Sequence, residues 1–124
     1  MDRYILIMLG GAVGSLARYA AGAAIMNRLG IRFPLGTFVV NISGAFLIGV
    51  LMTLFTGRVE LHPNWRFALV VGFLGGYTTF STLEWETLAL VMDGARWLGL
   101  INAAGSIVVG YAAVWLGSAI VGKR

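Results

Sequence analysis

The sequence of 124 residues has no cysteine, one histidine, five carboxylates and two prolines. The absence of cysteine excludes a disulfide framework and a thiolate metal site. We expect no enzyme, because so few titratable side chains assemble neither a nucleophile–base pair nor a metal cluster. Charged residues make up 11% and hydrophobic residues 59%, against about 25% and about 45–50% in soluble domains. This composition excludes an ordinary soluble domain and also a disordered chain.

Long apolar runs take up nearly the whole chain. A helix that crosses the hydrocarbon core of a bilayer, about 30 Å thick, needs about 20 mostly apolar residues. Two runs without charge reach this length, and two more are interrupted by only a few charged side chains. We do not interpret the first run as a cleaved signal peptide, because it is long and carries Arg18 at its middle. The sequence predicts one transmembrane domain, 1–124, with helices at about 4–26, 34–56, 66–92 and 97–121.

Lysine and arginine exceed aspartate and glutamate by nine to five. In a membrane chain such cations anchor loops, so we expect lipid as a partner and no nucleic acid. Four spans would place five cations on one side and three on the other. The five are Arg3, Arg58, Arg66, Lys123 and Arg124, and the three are Arg28, Arg32 and Arg96. This weak bias leaves two alternatives: one orientation with the five-cation side in the cytoplasm, or copies that insert both ways and pair antiparallel.

The eighteen glycines amount to about twice their average share, and most fall inside the predicted spans. Gly10 and Gly14 form the small-x-x-x-small pattern that allows helix backbones to approach closely. These glycines indicate either the seams of an oligomer or packing within a single bundle.

Polar side chains within a predicted span are candidates for function, because lipid makes them costly. Arg18 either reaches the far interface or faces an aqueous vestibule or a carboxylate. Asn41 shares a helical face with Thr37, and it either donates N–H groups into a pathway or joins two helices. Glu84 and Glu86 indicate proton coupling, cation transport or a partner for Arg18, or they lie at the membrane interface.

The stretch Gly72–Thr82 (GFLGGYTTFST) places two adjacent glycines and four serine or threonine residues in the middle of a span. Such a composition forms a poor continuous helix. It predicts either an interrupted helix or a kinked one with hydroxyls bonded to the preceding turn. An interrupted helix at membrane depth is tolerated where the backbone is buried or lines water. Its free carbonyls suit a monovalent cation, and its N–H and O–H groups suit an anion.

That stretch closely resembles the signature of the Fluc (CrcB) fluoride channels. Gly36–Asn41 (GTFVVN) is similar to the second-helix motif of that family, and Gly10–Tyr19 (GGAVGSLARY) to the first. The resemblance covers essentially the whole chain. It implies an all-α membrane protein of the bacterial inner membrane, with four transmembrane helices per subunit and a break in the third. It further implies an antiparallel dual-topology homodimer that passively exports fluoride from the cytoplasm.

The resemblance also implies roles for particular residues. Gly75 and Thr78 of each subunit would hold a Na⁺ ion at the dimer centre through their backbone carbonyls. Arg18 would lie toward the vestibule, and Glu86 would be the acidic position near the pore. The residues that would line the pore are Asn41, Phe80, Ser81 and Thr82.

The chain departs from the family pattern at three places. Leu83 stands where the family usually carries a second pore phenylalanine, so one ring-edge site per pore is missing. Glu84 adds a carboxylate on the Phe80 face, and Ser106 fits the fourth-helix serine poorly by its spacing. A proton-coupled dual-topology antiporter that uses Glu84 or Glu86 is the alternative, although that class usually carries its carboxylate in the first helix.

Overall fold

A computed structural model describes residues 2–57 and 60–122, and within these ranges every regular element is a helix. Three cations counted above, Arg58, Lys123 and Arg124, lie outside the described residues. In chain order the elements are α1 (Arg3–Leu29), α2 (Leu35–Thr56), α3 (Pro63–Trp65), a π-helix (Arg66–Leu74), α4 (Gly75–Tyr77), α5 (Phe80–Met92) and α6 (Arg96–Gly122).

Local chemistry determines where α1 ends and α2 begins. Asp2 caps the start of α1, since its side chain accepts a hydrogen bond from the Tyr4 N–H at 3.2 Å. Gly30 ends α1 with a φ of 57°, a left-handed conformation that favours glycine. Pro34 precedes α2, and its side chain forms no capping hydrogen bond with the first turn. Instead the Gly36 N–H donates to the Met26 sulfur at 3.3 Å, which ties α2 to the end of α1.

Three helices, α1, α2 and α6, are long and apolar enough to cross a membrane, and the chain is an all-helical membrane protein. They correspond to the predicted runs 4–26, 34–56 and 97–121 with slightly different bounds. The predicted run 66–92 corresponds to the π-helix, α4 and α5, so it is not one continuous helix. Four crossings stay a prediction from the sequence.

The outer surface is apolar to a degree that water would not tolerate. Among hydrophobic residues, those that are buried in the described part of the chain are Val40, Leu74, Leu83 and Leu90. Large side chains such as Trp97 and Tyr111 are 77% and 75% exposed. So many outward-facing apolar side chains suit a hydrocarbon solvent.

Helices approach so closely at glycines that a backbone carbonyl of one helix packs against the Cα of another. A Cβ added at Gly14 of α1 would collide with the Phe73 carbonyl oxygen and lie 3.0 Å from the Tyr77 nitrogen. A Cβ added at Gly117 of α6 would collide with the Phe46 carbonyl oxygen of α2. The two pairs, α1 with the π-helix and α2 with α6, therefore pack backbone to backbone.

Gly14→Ala is expected to destabilise the fold by about 1–3 kcal/mol, because the new methyl group must displace the Phe73 carbonyl. Gly22→Ala in the same helix is the matched control, since a Cβ there meets nothing within 4 Å. Thermal unfolding in detergent should show a lower midpoint for the Gly14 variant only. Equal midpoints for both variants would contradict the close contact.

Candidate functional site

The helical backbone is interrupted between α4 and α5, where two threonines are extended. Thr78 has φ −85° and ψ 155°, and Thr79 has φ −149° and ψ 121°. In a continuous α-helix each N–H donates to the carbonyl four residues earlier. Two extended residues end that pattern, so polar backbone groups on both sides require other partners.

Asn41 of α2 satisfies both polar backbone groups of Thr79. The Thr79 N–H donates to Asn41 Oδ1 at 2.8 Å, and Asn41 Nδ2 donates to the Thr79 carbonyl at 2.9 Å. The Asn41 amide thus replaces the missing helical neighbours of an extended residue. This contact joins two helices, which is one of the two alternatives for Asn41. One of the two N–H groups of the Asn41 amide remains for another acceptor.

Two backbone N–H groups near the interruption donate to side chains instead of to the carbonyls of Gly75 and Thr78. Gly75 would normally receive the Thr79 N–H, which is instead directed to Asn41. Thr78 would normally receive the Thr82 N–H, which donates to Thr79 Oγ1 at 3.3 Å. The carbonyls of Gly75 and Thr78 have therefore lost their usual helical donors, and Gly75 lies on the surface of the chain.

Arg18 of α1 caps the end of α4. Its Nε–H donates to the Gly76 carbonyl at 3.0 Å, and that carbonyl would otherwise receive an N–H from beyond the interruption. The guanidinium has further N–H groups besides Nε. Arg18 is therefore half-buried against the interrupted backbone. The sequence pattern did not indicate its partner, the Gly76 carbonyl.

The start of α5 carries three more of the predicted site residues. Thr79 caps α5, since its Oγ1 accepts from the Thr82 N–H and also donates to Thr82 Oγ1 at 3.0 Å. Phe80 is 72% exposed on the chain surface, and Ser81 is exposed as well. Leu83, one turn later, is instead 6% exposed.

The two glutamates of α5 lie in different surroundings. Glu86 Oε1 accepts a hydrogen bond from the Thr37 hydroxyl of α2 at 2.8 Å. Its other oxygen, Oε2, is buried and has no partner among the described residues. Glu84 is exposed on the surface of the chain. Among the described residues, neither carboxylate forms an ion pair with Arg18, which instead donates to the Gly76 carbonyl.

Two cavities meet at Thr79. One, of about 370 Å³, has a mostly apolar lining that includes Asn41, Gly75, Thr78, Phe80 and Leu83. The other, of about 320 Å³, is more polar, and its lining includes Arg18, Thr37, Thr82 and Glu86. Thr79 lines both cavities. The structure therefore brings most of the predicted site residues together on either side of Thr79, whereas Ser81 and Glu84 line neither cavity.

Sequence reasoning missed a polar cluster between α5 and α6. Asn102 is fully buried and donates from Nδ2 to the Thr87 hydroxyl at 3.0 Å. Its Oδ1, and the Oγ of Ser106 one turn later, are buried without a partner among the described residues. Two polar residues four apart in an otherwise apolar run were the available signal. Ser106, a poor candidate by spacing, thus carries a buried hydroxyl with no partner in the described part of the chain.

These features define a class, a helical membrane protein whose polar side chains collect around an interrupted helix. A family model described as "CrcB-like protein, Camphor Resistance (CrcB)" matches residues 5–118. The chain belongs to this family, which confirms the family predicted from the three sequence motifs.

Curated relatives extend the match over nearly the full chain. A protein of Solibacter usitatus is 62% identical over 122 residues, covering 98% of this chain and 99% of its own. A protein of Acidobacterium capsulatum is 47% identical, with 98% and 97% covered. A protein of Thermus thermophilus is 46% identical, with 94% and 93% covered. All three carry the name "Fluoride-specific ion channel FluC".

Asn41→Asp is expected to lower stability by about 1–3 kcal/mol, because a carboxylate cannot donate to the Thr79 carbonyl and would face it with negative charge. Asn27→Asp makes the same chemical change at an exposed position in the last turn of α1. There the expected loss of stability is about 0.3–1 kcal/mol, from a negative charge at a helix C-terminus. Thermal unfolding of both variants measures the difference. An Asn41 variant as stable as the Asn27 variant would argue against the two-point contact.

Proposed function

We propose that the chain is a fluoride-selective ion channel that lets F⁻ leave the cytoplasm passively and so lowers its toxic concentration. The observation that carries this proposal is the full-length match, at 62% identity, to a relative named as a fluoride-specific ion channel. Membership of the family supports a channel in a bacterial inner membrane, not an enzyme. Neither the family nor the named relatives support the antiporter alternative.

The donor groups around the interruption suit fluoride chemically. Fluoride is a small, strongly hydrated acceptor, so its path must offer N–H and O–H groups in place of water. Asn41 retains one amide hydrogen after bonding Thr79, and the Thr82 hydroxyl retains its own hydrogen while accepting from Thr79. Ser81 and the positive ring edge of Phe80 lie exposed beside them. We assign these four residues to the pore lining.

The charged residues take different parts in this proposal. Arg18 lies in the lining of the polar cavity and offers its remaining N–H groups to an anion there. Glu86 lines the same cavity, and its bond from Thr37 orients one of its oxygens. Glu84 is exposed on the chain surface. We assign Arg18 to the vestibule and Glu86 to the acidic position near the pore.

We further propose four crossings per subunit, with the π-helix, α4 and α5 forming the interrupted third crossing, and an antiparallel dual-topology homodimer. Phe80 and Gly75 are exposed in the single chain, although a pore residue and a cation ligand both need enclosure. A second copy would enclose them. The weak difference in loop cations between the two sides favours insertion in both orientations.

A Na⁺ ion at the dimer centre fits the residues that are present. The carbonyls of Gly75 and Thr78 have lost their helical donors, and such oxygens are ligands that a hard monovalent cation accepts. We assign the site to these two residues of each subunit. When bound, the ion supplies positive potential close to the anion path.

Fluoride efflux from proteoliposomes of the purified protein tests the function, with a fluoride electrode as the readout and chloride as the competing anion. Fast fluoride efflux, little chloride leak and no dependence on an imposed pH gradient are expected. Empty liposomes provide the control. Absence of fluoride efflux, or efflux that follows the proton gradient, would refute a passive fluoride channel.

Phe80→Leu is expected to slow fluoride efflux about two- to tenfold, because the lost ring-edge contact raises the barrier by about 0.5–1.5 kcal/mol. Phe55→Leu in the last turn of α2 is the matched control and should leave efflux unchanged. Both variants should keep the elution volume of the wild type on size exclusion. Full efflux through the Phe80 variant would remove this ring from the pore.

A further inference from the structure

We propose that the hydroxyl pair of Ser43 and Tyr77 is a positioning contact that orients the cation-binding carbonyls of Gly75 and Thr78. The inference rests on the sodium site of the proposed function and deepens it. Nothing in the sequence motifs or in the pore assignment gives Ser43 or Tyr77 a role.

The geometry defines a directed chain of hydrogen bonds. Ser43 Oγ and the Tyr77 hydroxyl oxygen lie 2.9 Å apart, and Ser43 Oγ donates to the Val40 carbonyl at 3.0 Å. Because serine has one hydroxyl hydrogen and uses it on Val40, Tyr77 is the donor to Ser43. The chain therefore runs from Tyr77 through Ser43 to the α2 backbone, and each bond polarises the next.

One turn of α2 holds the three consecutive residues that end α4 and form the interruption. Each makes a different kind of contact, through a hydroxyl, a methyl group and the backbone. In order, the contacts are Ser43 to Tyr77, Gly44 to Thr78 and Asn41 to Thr79. At Gly44 an added Cβ would collide with Thr78 Cγ2 and lie 3.3 Å from Tyr77 Cδ1. The helix thus approaches these residues with no space to spare.

The Tyr77 contact acts on the two carbonyls that the cation needs. Tyr77 lies in sequence between Gly75 and Thr78, and α4 consists of three residues only. Asn41 holds Thr79, the second residue of the interruption, and Arg18 holds the Gly76 carbonyl from the α1 side. Without the Tyr77 hydroxyl, α4 loses its hydrogen bond to α2, and the carbonyl dipoles of Gly75 and Thr78 can rotate as far as the remaining contacts allow. The affinity for the cation should therefore respond more strongly than the stability of the fold.

Tyr77→Phe isolates the hydroxyl. The Tyr77 ring stacks on Phe73 with centroids 5.6 Å apart and an interplanar angle of 13°, a contact that phenylalanine retains. Ser43 keeps its bond to Val40, so no buried group loses its only partner. The variant should therefore fold and insert as the wild type does.

The experiment measures the unfolding midpoint of the full-length purified protein against Na⁺ concentration, with N-methylglucamine maintaining the ionic strength. Tyr77→Phe should raise the half-saturating Na⁺ concentration about three- to tenfold, which corresponds to the loss of one hydrogen bond. Ser43→Ala should raise it similarly. The half-saturating Na⁺ concentration of the double variant should not exceed the higher of the two single-variant values, because the two residues share one contact.

Ser118→Ala is the matched control, since it removes another hydroxyl contact between α2 and a neighbouring helix. Thr53 Oγ1 approaches Ser118 Oγ at 2.8 Å, ten residues along α2 from Ser43, and Thr53 keeps its contact with the Gly49 carbonyl. This variant should lower the midpoint at every Na⁺ concentration by a similar amount. Its half-saturating concentration should equal that of the wild type.

An unchanged half-saturating concentration in Tyr77→Phe, an equal change in Ser118→Ala, or no Na⁺ dependence in the wild type would each overturn the inference. Fluoride efflux of the same preparations is measured separately. Efflux with unaltered Na⁺ affinity in Tyr77→Phe would refute the positioning contact and leave the channel proposal standing. Weaker Na⁺ binding in Tyr77→Phe, with no fluoride efflux in the wild type, would support the contact and refute the channel.

Discussion

The hydrogen bonds between the Asn41 side chain and the Thr79 backbone support the whole site. An extended residue within a helical membrane protein has an N–H and a carbonyl without helical partners, and each unmet group costs several kcal/mol, on the order of 2–7. An amide side chain carries a donor and an acceptor side by side, as a peptide group does. Asn41 therefore allows the helix to stop and restart, which deprives the Gly75 carbonyl of its helical donor and places Thr79 to cap α5.

The remaining polar groups divide around that fixed residue. Arg18 of α1 donates a hydrogen bond to the Gly76 carbonyl, and Thr37 of α2 donates one to Glu86. The two cavities share Thr79, so a mostly apolar space and a polar one lie back to back across a single residue. Charged side chains line one of these spaces, whereas the exposed ring of Phe80 borders the other.

Much of this arrangement could be predicted from the sequence, because it depends on local composition. The apolar runs predict α1, α2 and α6, and the glycines and hydroxyl residues at 72–82 indicate where a continuous helix is unfavourable. The three motifs predicted the family. The π-helix at Arg66–Leu74 could not be predicted, since its bonding pattern accompanies backbone packing against the glycines of α1.

The partners of the polar residues were equally beyond the sequence. Asn41 and Thr79 are 38 residues apart, and Arg18 and Gly76 are 58 apart. A helical face identifies such a residue as costly in lipid without indicating what satisfies it. The burial of Leu83 and the exposure of Phe80, three residues apart, likewise depend on how α5 packs against the rest of the chain.

The order of these contacts along the chain bears on how the protein enters the membrane. Arg18 and Asn41 both precede the residues that they satisfy, so a ribosome completes α1 and α2 before the glycine- and threonine-rich segment emerges. Segments with interrupted backbones insert poorly by themselves, because lipid offers them no hydrogen bonds. In this order of synthesis, the partners of the interrupted segment's polar groups are already made when the segment arrives.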